Sequence, residues 1–332
     1  MPFTKATMTA TYDEAKIQAE MDKLDDDFQD AIEGEDEGIE GDFPVTAEEL
    51  TMLKAALASD FPEDYDYMSD AYMRSVASKP YSKDPTSRRP LEYSQEKLLN
   101  VLKWREENGA PTMEELLQIV MEDNSPVATE DPTKYAKAVG LVKSLNTSSL
   151  YWHGFTKDGR PILWVRTNRK PWYPDVDAEC DALILMADAG IRAMPEGVTD
   201  FVVVAESSYP PPPNPTFMIK LLQALVRGYP DRLKILYSAP VSSIVQFVMN
   251  LLLPLMPGRL ASKVGLLTTE EVTDKLSEFM DESQIPDFFG GPITHDDLYP
   301  EESKCSVKGG MLKFDYYGMV ERLQKAKEEY KS

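Results

Sequence analysis

Cysteine and histidine are nearly missing from this chain, with two of each in 332 residues. Cys180 and Cys305 have no CxxC spacing, so no zinc site is expected, and two cysteines in so long a chain predict reduced thiols in an intracellular protein. His153 and His295 stand alone in the sequence and read as structural or surface residues rather than ligands. Positive charge is scarce as well: 35 Lys and Arg face 57 Asp and Glu, for a net charge of −22. Such a chain is a poor nucleic-acid binder, because phosphate contacts need clustered Lys and Arg. Glycines at phosphate-cradling spacing are missing too. Gly34, Gly38 and Gly41 lie in an acidic stretch, and Gly290 and Gly291 have no strand-to-helix context, which excludes a dinucleotide fingerprint and a P-loop. No G-x-S-x-G elbow occurs, and Cys180 has no nearby Arg or His to lower its pKa. Without a recognisable reaction centre, binding is favoured over catalysis, and no enzyme, cofactor or metal is expected.

Long hydrophobic runs are also lacking. The longest, Ile244 to Met256, is interrupted by Gln246, Asn250 and Pro254 and falls short of the roughly 20 residues a membrane span needs. The N-terminus, "MPFTKATMTATYDEAK", has no apolar signal-peptide core. A soluble, cytoplasmic protein is the expectation.

What is present is unevenly distributed. The first fifty residues hold sixteen acids against Lys5, Lys16 and Lys23, more than half of the net charge. Residues 1–45 therefore read as a solvated, disordered acidic arm. From Thr46 the pattern is helical. Thr46 and Glu49 have the spacing of a capping box ahead of "LTMLKAAL", and "DYMSDAYMRSVAS", "YSQEKLLNVLKWREENGAP", "TMEELLQIVMED" and "TKYAKAVGLVKSL" add further helices. Residues 46–145 are expected to form an all-helical subdomain, with "KPYSKDPTSRRP" as a basic loop. Residues 146–295 change character. "YWHGFTKDGRPILWVR" is two extended runs around Asp158-Gly159, a strong hairpin signal. The order then continues as helix "DVDAECDALILMADAGIRAM" (175–194), buried strand "DFVVVAE", helix "FMIKLLQALVRGYP" and buried strand "RLKILYSAP", which predicts an α/β domain with a mainly parallel sheet. "YPPPPNP" reads as a rigid connector between strand and helix. Residues 296–332 form a C-terminal extension ending in the helix "FDYYGMVERLQKAKEEYK".

The segment 241–256, taken as a helix, is apolar most of the way round, with only Ser242, Ser243, Gln246 and Asn250 polar. Such a helix is either buried in a large core or set beside an apolar surface that comes and goes. Pro254, Pro257 and Gly258 would make it a movable paddle.

Five motifs then occur in order: "LLNVLKWREENG", "FTKDGRPILWVR", "GYPDRLKILYSAP", "LLPLMPGRLASKVGLL" and "MDESQIPDFFGG". Through them residues 60–295 resemble the CRAL-TRIO lipid-binding family, which includes phosphatidylinositol/phosphatidylcholine transfer proteins. The resemblance implies a helical subdomain followed by a lipid domain with a sheet floor and a mobile gate helix, here the apolar run after Pro240. Cavity and gate candidates are Trp164, Phe201, Val203, Tyr237, Ile244, Phe247, Val248 and Leu251. Asp231 and Lys263 match the acidic and lysine positions associated with the phosphoinositide headgroup in members that bind it. The chain departs from the pattern at Leu260, where a hydroxyl residue is usual, and at Phe201 and Val203, where a Ser/Thr pair holds choline. The basic cluster of the helical subdomain is reduced to Arg74 and Lys79. The expected function is a monomeric lipid-transfer protein that encloses phosphatidylinositol and touches membranes transiently. A carrier of a tocopherol-, retinoid- or sterol-like molecule, or a lipid-regulated adaptor, are the alternatives.

Overall fold

A computed structural model describes residues 43–60, 67–81, 83–121, 125–212, 214–253, 258–300 and 312–331. The expected acidic arm lies outside these residues apart from its last three positions, as does Cys305.

The helical region contains α1 (Ala47–Asp60), α2 (Asp70–Ala77), α3 (Leu91–Glu107), α4 (Glu115–Met121), α5 (Val127–Glu130) and α6 (Pro132–Asn146). Its starts are specified locally. The Thr46 amide donates to Glu49 Oε2 at 2.8 Å while the Glu49 amide donates to Thr46 Oγ1 at 3.2 Å, the reciprocal capping box that the spacing predicts. Ser69 caps α2, and Asp131 caps α6. After α3 the chain leaves the helix at Gly109 with φ 68°, a conformation open to glycine at little cost. Leu53, Leu57, Leu98, Leu102, Leu117 and Leu141 are buried together.

This region is not wholly helical. "KPYSKDPTSRRP" forms a two-stranded antiparallel ribbon, β1 (Pro80–Tyr81) with β2 (Asp84–Arg88). Its residues show no apolar alternation, because tertiary contacts hold it. Arg88 pairs with Glu49 of α1 and donates to the Pro44 carbonyl at 2.8 Å.

The second region is built on a five-stranded sheet in the order β3–β4–β5–β6–β7. β3 (Leu150–Phe155) and β4 (Pro161–Arg166) form the expected antiparallel hairpin, turned at Gly159 with φ 82°. β5 (Phe201–Glu206), β6 (Leu233–Ala239) and β7 (Val264–Leu266) then add in parallel. β7 falls inside a motif without a strand signal, being three residues long with Gly265 at its centre. The crossovers carry α7 (Val176–Arg192), α8 (Pro215–Gln223, continued by a π turn to Gly228), and α9 (Ser243–Leu252) with α10 (Gly258–Ala261). α11 (Val272–Phe279), α12 (His295–Leu298) and α13 (Tyr316–Lys331) complete the chain. The part expected as an extension after 295 packs into the body: Tyr299 is buried and stacks on Tyr151 of β3 at 4.2 Å, and α13 lies along β3, with the Trp152 amide 3.3 Å from Met319 Sδ.

Candidate functional site

Side chains alternate between the faces of a sheet with period two, and the pairings across these strands define two rows. Trp152, Leu163, Val203, Leu236 and Val264 form one; Tyr151, Trp164, Val204, Tyr237 and Gly265 form the other, on the opposite face. The first face is backed by α7. Trp152 Nε1 donates to the Met186 carbonyl at 2.6 Å, and its indole meets Phe201 edge-on at 5.3 Å. α8 lies beside α7, with Lys220 paired to Asp177. Right-handed crossovers between successive parallel strands put α9 on the same face.

The other face is closed by residues 272–299. Trp164 Nε1 donates to the His153 carbonyl at 2.9 Å, and its ring meets His295 at 5.0 Å and Phe288 at 6.2 Å. Tyr237 stacks on Phe279 at 5.6 Å. Trp164 and Tyr237 therefore do not line one cavity with Phe201 and Val203, as expected from the sequence. The β5–β6 pairing shifts between Phe201 and Val202, and the phase of β6 relative to β5 cannot be read from either strand alone. Phe201 and Val203 are the pair that faces the crossover helices.

Burial along this first row is graded. Trp152, Leu163 and Val203 are buried, whereas Leu236 and Val264 are only half-buried. After β6, α9 is capped by Ser242, whose hydroxyl accepts from the Val245 amide at 3.3 Å. Val245 and Met249 are buried at i, i+4 spacing, while Ser243, Gln246 and Asn250 form an exposed polar stripe. The helix is thus amphipathic, with its polar residues gathered on one side. The side chains of Ile244, Phe247, Val248 and Leu251, expected at the gate, lie outside those described.

Asp231 and Lys263 both act at the amino end of β6. Lys263 Nζ donates to the Leu233 carbonyl at 2.6 Å. Asp231 adopts φ 58° in the turn before the strand, and its buried carboxylate lies 3.6 Å from Arg89 Nη1. The helical region grips this turn directly: Tyr72 Oη donates to the Pro230 carbonyl at 2.8 Å and Tyr67 Oη to the Gly228 carbonyl at 3.3 Å. Sequence reasoning missed Arg89, although "SRRP" carried it. Of the cations it named, Arg74 is committed to the Val45 carbonyl at 2.8 Å.

Two cavities lie between the helical region and α7. One of about 700 Å³ is lined by Asp175, Asp177, Asp181, Lys137 and Lys220; the other, of about 550 Å³, by Tyr67, Arg105, Asp188 and Arg232. Neither includes the expected cavity residues. Cys180 borders the first, and burial pushes its thiol up to about 11, away from nucleophilic use. His153 and His295, apart in sequence, meet with ring centroids 4.7 Å apart. Desolvation lowers both, His153 to about 4 and His295 to about 2, with His153, Arg166 and Arg169 adding to the effect on His295. Among the described residues no His, Cys, Asp and Glu cluster could hold a metal, and no helix is long and apolar enough to cross a membrane.

Residues 145–291 match the CRAL/TRIO domain. No curated protein matches the chain in sequence. Among solved structures 34 chains match, including the crystal structure of Sfh5, at 13% identity and a TM-score of 0.45 over 69% of this chain and 82% of that one. The span that matches begins just before β3 and ends after α11, enclosing the whole sheet and the graded row. Residues 145–291, less than half of the chain, thus resemble a CRAL/TRIO domain.

Proposed function

We propose that the protein encloses a single phosphatidylinositol molecule between the Phe201–Val203 face of the sheet and its crossover helices, and exchanges it at membranes by movement of α9. The observation that carries this reading is the graded row. The sheet is sealed at Leu163 and Val203 but leaves Leu236 and Val264 half-buried on the face that right-handed crossovers give to the helices. Each methylene a lipid moves from an apolar site into water costs about 0.8 kcal/mol, so a carrier must offer its acyl chains a surface of this kind. Asp231, Arg89 and Lys263 sit at one end of that surface. Ammonium and guanidinium suit a phosphate, and the carboxylate suits inositol hydroxyls. The protein acts as a carrier, without chemistry on the lipid, in the cytoplasm with transient membrane contact.

A second reading, a carrier of one small hydrophobe such as a tocopherol, retinoid or sterol-like molecule, is favoured by a different observation. Lys263 already serves the Leu233 carbonyl and Asp231 already faces Arg89. Mass spectrometry of lipids extracted from the purified protein separates the two, with Lys263→Ala alongside. Phosphatidylinositol in the wild type and its loss from the variant is the expected result. A different hydrophobe in both proteins would move the function to the small-ligand carrier, and no stoichiometric lipid in either would overturn the enclosed cavity.

A further inference from the structure

Three aromatic side chains stand further out of the surface than any other aromatic among the described residues. Tyr173 is 93% exposed, Tyr209 82% and Trp172 61%; the next, Tyr330, is 44% exposed. All three lie on two loops, 167–175 after β4 and 207–212 after β5. These strands are parallel neighbours with Arg166 opposite Glu206, so both loops leave the same edge of the sheet. Their bases are tied together: Thr167 Oγ1 donates to the Glu206 carbonyl at 2.8 Å. Lys170 of the first loop lies 5.5 Å over the ring of Phe217, on the helix that follows the second. β6 ends at this edge as well, where the Ser207 amide donates to the Ala239 carbonyl at 2.7 Å. α9 starts four residues further on. The exposed aromatics therefore flank the root of the helix assigned to lipid exchange.

The loops are built to present these rings. Trp172 and Tyr173 stand between Pro171 and Pro174, and Tyr209 precedes Pro210, Pro211 and Pro212. Fixed proline φ angles leave little backbone freedom to lose on docking. Neither tip carries a charge in a chain of net −22, and the charges at the base of the first are engaged: Arg169 with Asp296, Lys170 with Glu179, and Asp175 as the cap of α7. Indole and phenol rings combine an apolar body with a polar tip and concentrate at the headgroup level of bilayers. An uncharged aromatic patch on a strongly acidic protein fits a zwitterionic surface, since anionic lipid would repel the rest of the chain.

We propose that loops 167–175 and 207–212 form a docking surface for a zwitterionic bilayer, with Trp172, Tyr173 and Tyr209 entering the headgroup layer so that the root of α9 is set against the membrane. This rests on the reading that the protein exchanges lipid at membranes. The test is co-sedimentation of the full chain with phosphatidylcholine vesicles, comparing the wild type with a variant carrying Trp172→Ser, Tyr173→Ser and Tyr209→Ser. The wild type should bind with an affinity that changes little between about 0.1 M and about 0.5 M salt. The variant should bind about tenfold more weakly or worse, a loss of at least about 1.4 kcal/mol. Both should melt at the same temperature and yield the same extracted lipid, because the substituted side chains are exposed. Equal vesicle binding by the two proteins overturns the proposal, and so does an absence of binding by the wild type. A patch that instead captured a proline-recognising protein would give either of those results. A wild type that holds lipid but ignores vesicles would remove this docking surface and leave lipid enclosure standing; a wild type that binds vesicles but holds no lipid would do the reverse.

Discussion

The two halves of one sheet are built differently. In β3, β4 and β5 both faces are sealed: Trp152, Leu163 and Val203 lie under α7, and Tyr151, Trp164 and Val204 lie over the His153–His295 cluster, all buried. In β6 and β7 the first row continues through Leu236 and Val264 and the second through Tyr237 and Gly265; Leu236, Val264 and Gly265 are half-buried, while Tyr237 stays buried. An edge strand is ordinarily protected by charge, proline or a covering element, yet β7 reads Val-Gly-Leu. At about 25 cal/mol per Å², unburied apolar area in the second half is stabilisation that, on the proposed function, a bound lipid would complete. Stability should therefore be concentrated in the sealed half and lipid binding in the open one.

The largest loss is expected where the sealed half is anchored to the helical region. Arg105 grips Asp188 through two hydrogen bonds of 2.7 and 3.0 Å, Tyr229 Oη donates to the same carboxylate at 3.0 Å, and the guanidinium lies 3.7 Å over Tyr67. Arg105→Ala strands a buried carboxylate and should cost about 3–5 kcal/mol in urea unfolding. Next come two leucines in the same row. Leu163→Ala should cost about 2–5 kcal/mol as a cavity in a closed core, whereas Leu236→Ala should cost about 1 kcal/mol and impair lipid loading instead. Equal losses at the two positions would break the distinction between the halves.

A pH-dependent effect belongs to the sealed half. The pKa values of His153 and His295 are lowered from 6.5 to about 4 and about 2, so below pH 6.5 the unfolded chain binds protons that the folded chain excludes. Stability is complete above that pH and falls as pH drops toward 4, by up to about 1.4 kcal/mol per pH unit for each histidine. Melting temperatures between about pH 7 and about pH 4.5 should decline less steeply in His295→Phe than in the wild type. An unchanged slope would mean that other groups govern the acid limb.

How far these halves were legible depended on sequence distance. The capping box at Thr46 and Glu49, the Asp158-Gly159 hairpin and the apolar runs of β5 and β6 are written in a few consecutive residues, and all formed where expected. The β1–β2 ribbon was not, because its partner Glu49 lies outside the ribbon and its strands have no apolar period. β7 was too short to carry a signal. The candidate cavity residues are divided between the two faces of the sheet: Trp164 is out of phase with Val203 across β4 and β5, and the phase of Tyr237 depends on the register shift at Phe201. Arg89 beside Asp231, Arg105 on Asp188 and the meeting of the two histidines all join positions far apart in the chain, where no spacing rule reaches. The resemblance supplied the fold, yet not which side chains the charged positions would meet.

Gly265 offers the finest test of the comparison. In the sealed half, a Cβ on Gly190 would meet the indole of Trp152, which the Met186 carbonyl holds in place. On Gly265 a Cβ would lie 2.6 Å from the ring of Tyr237, whose other neighbour is the half-buried Phe279. A ring bounded by partly exposed apolar residues can tilt, while a hydrogen-bonded indole in a filled core cannot. Gly265→Ala should therefore cost only about 1 kcal/mol, at the low end for overpacking. A loss as large as about 3 kcal/mol, read from the same urea transition, would show that the open half is packed as tightly as the sealed one. The open character of β6 and β7 would then be confined to the Leu236–Val264 face.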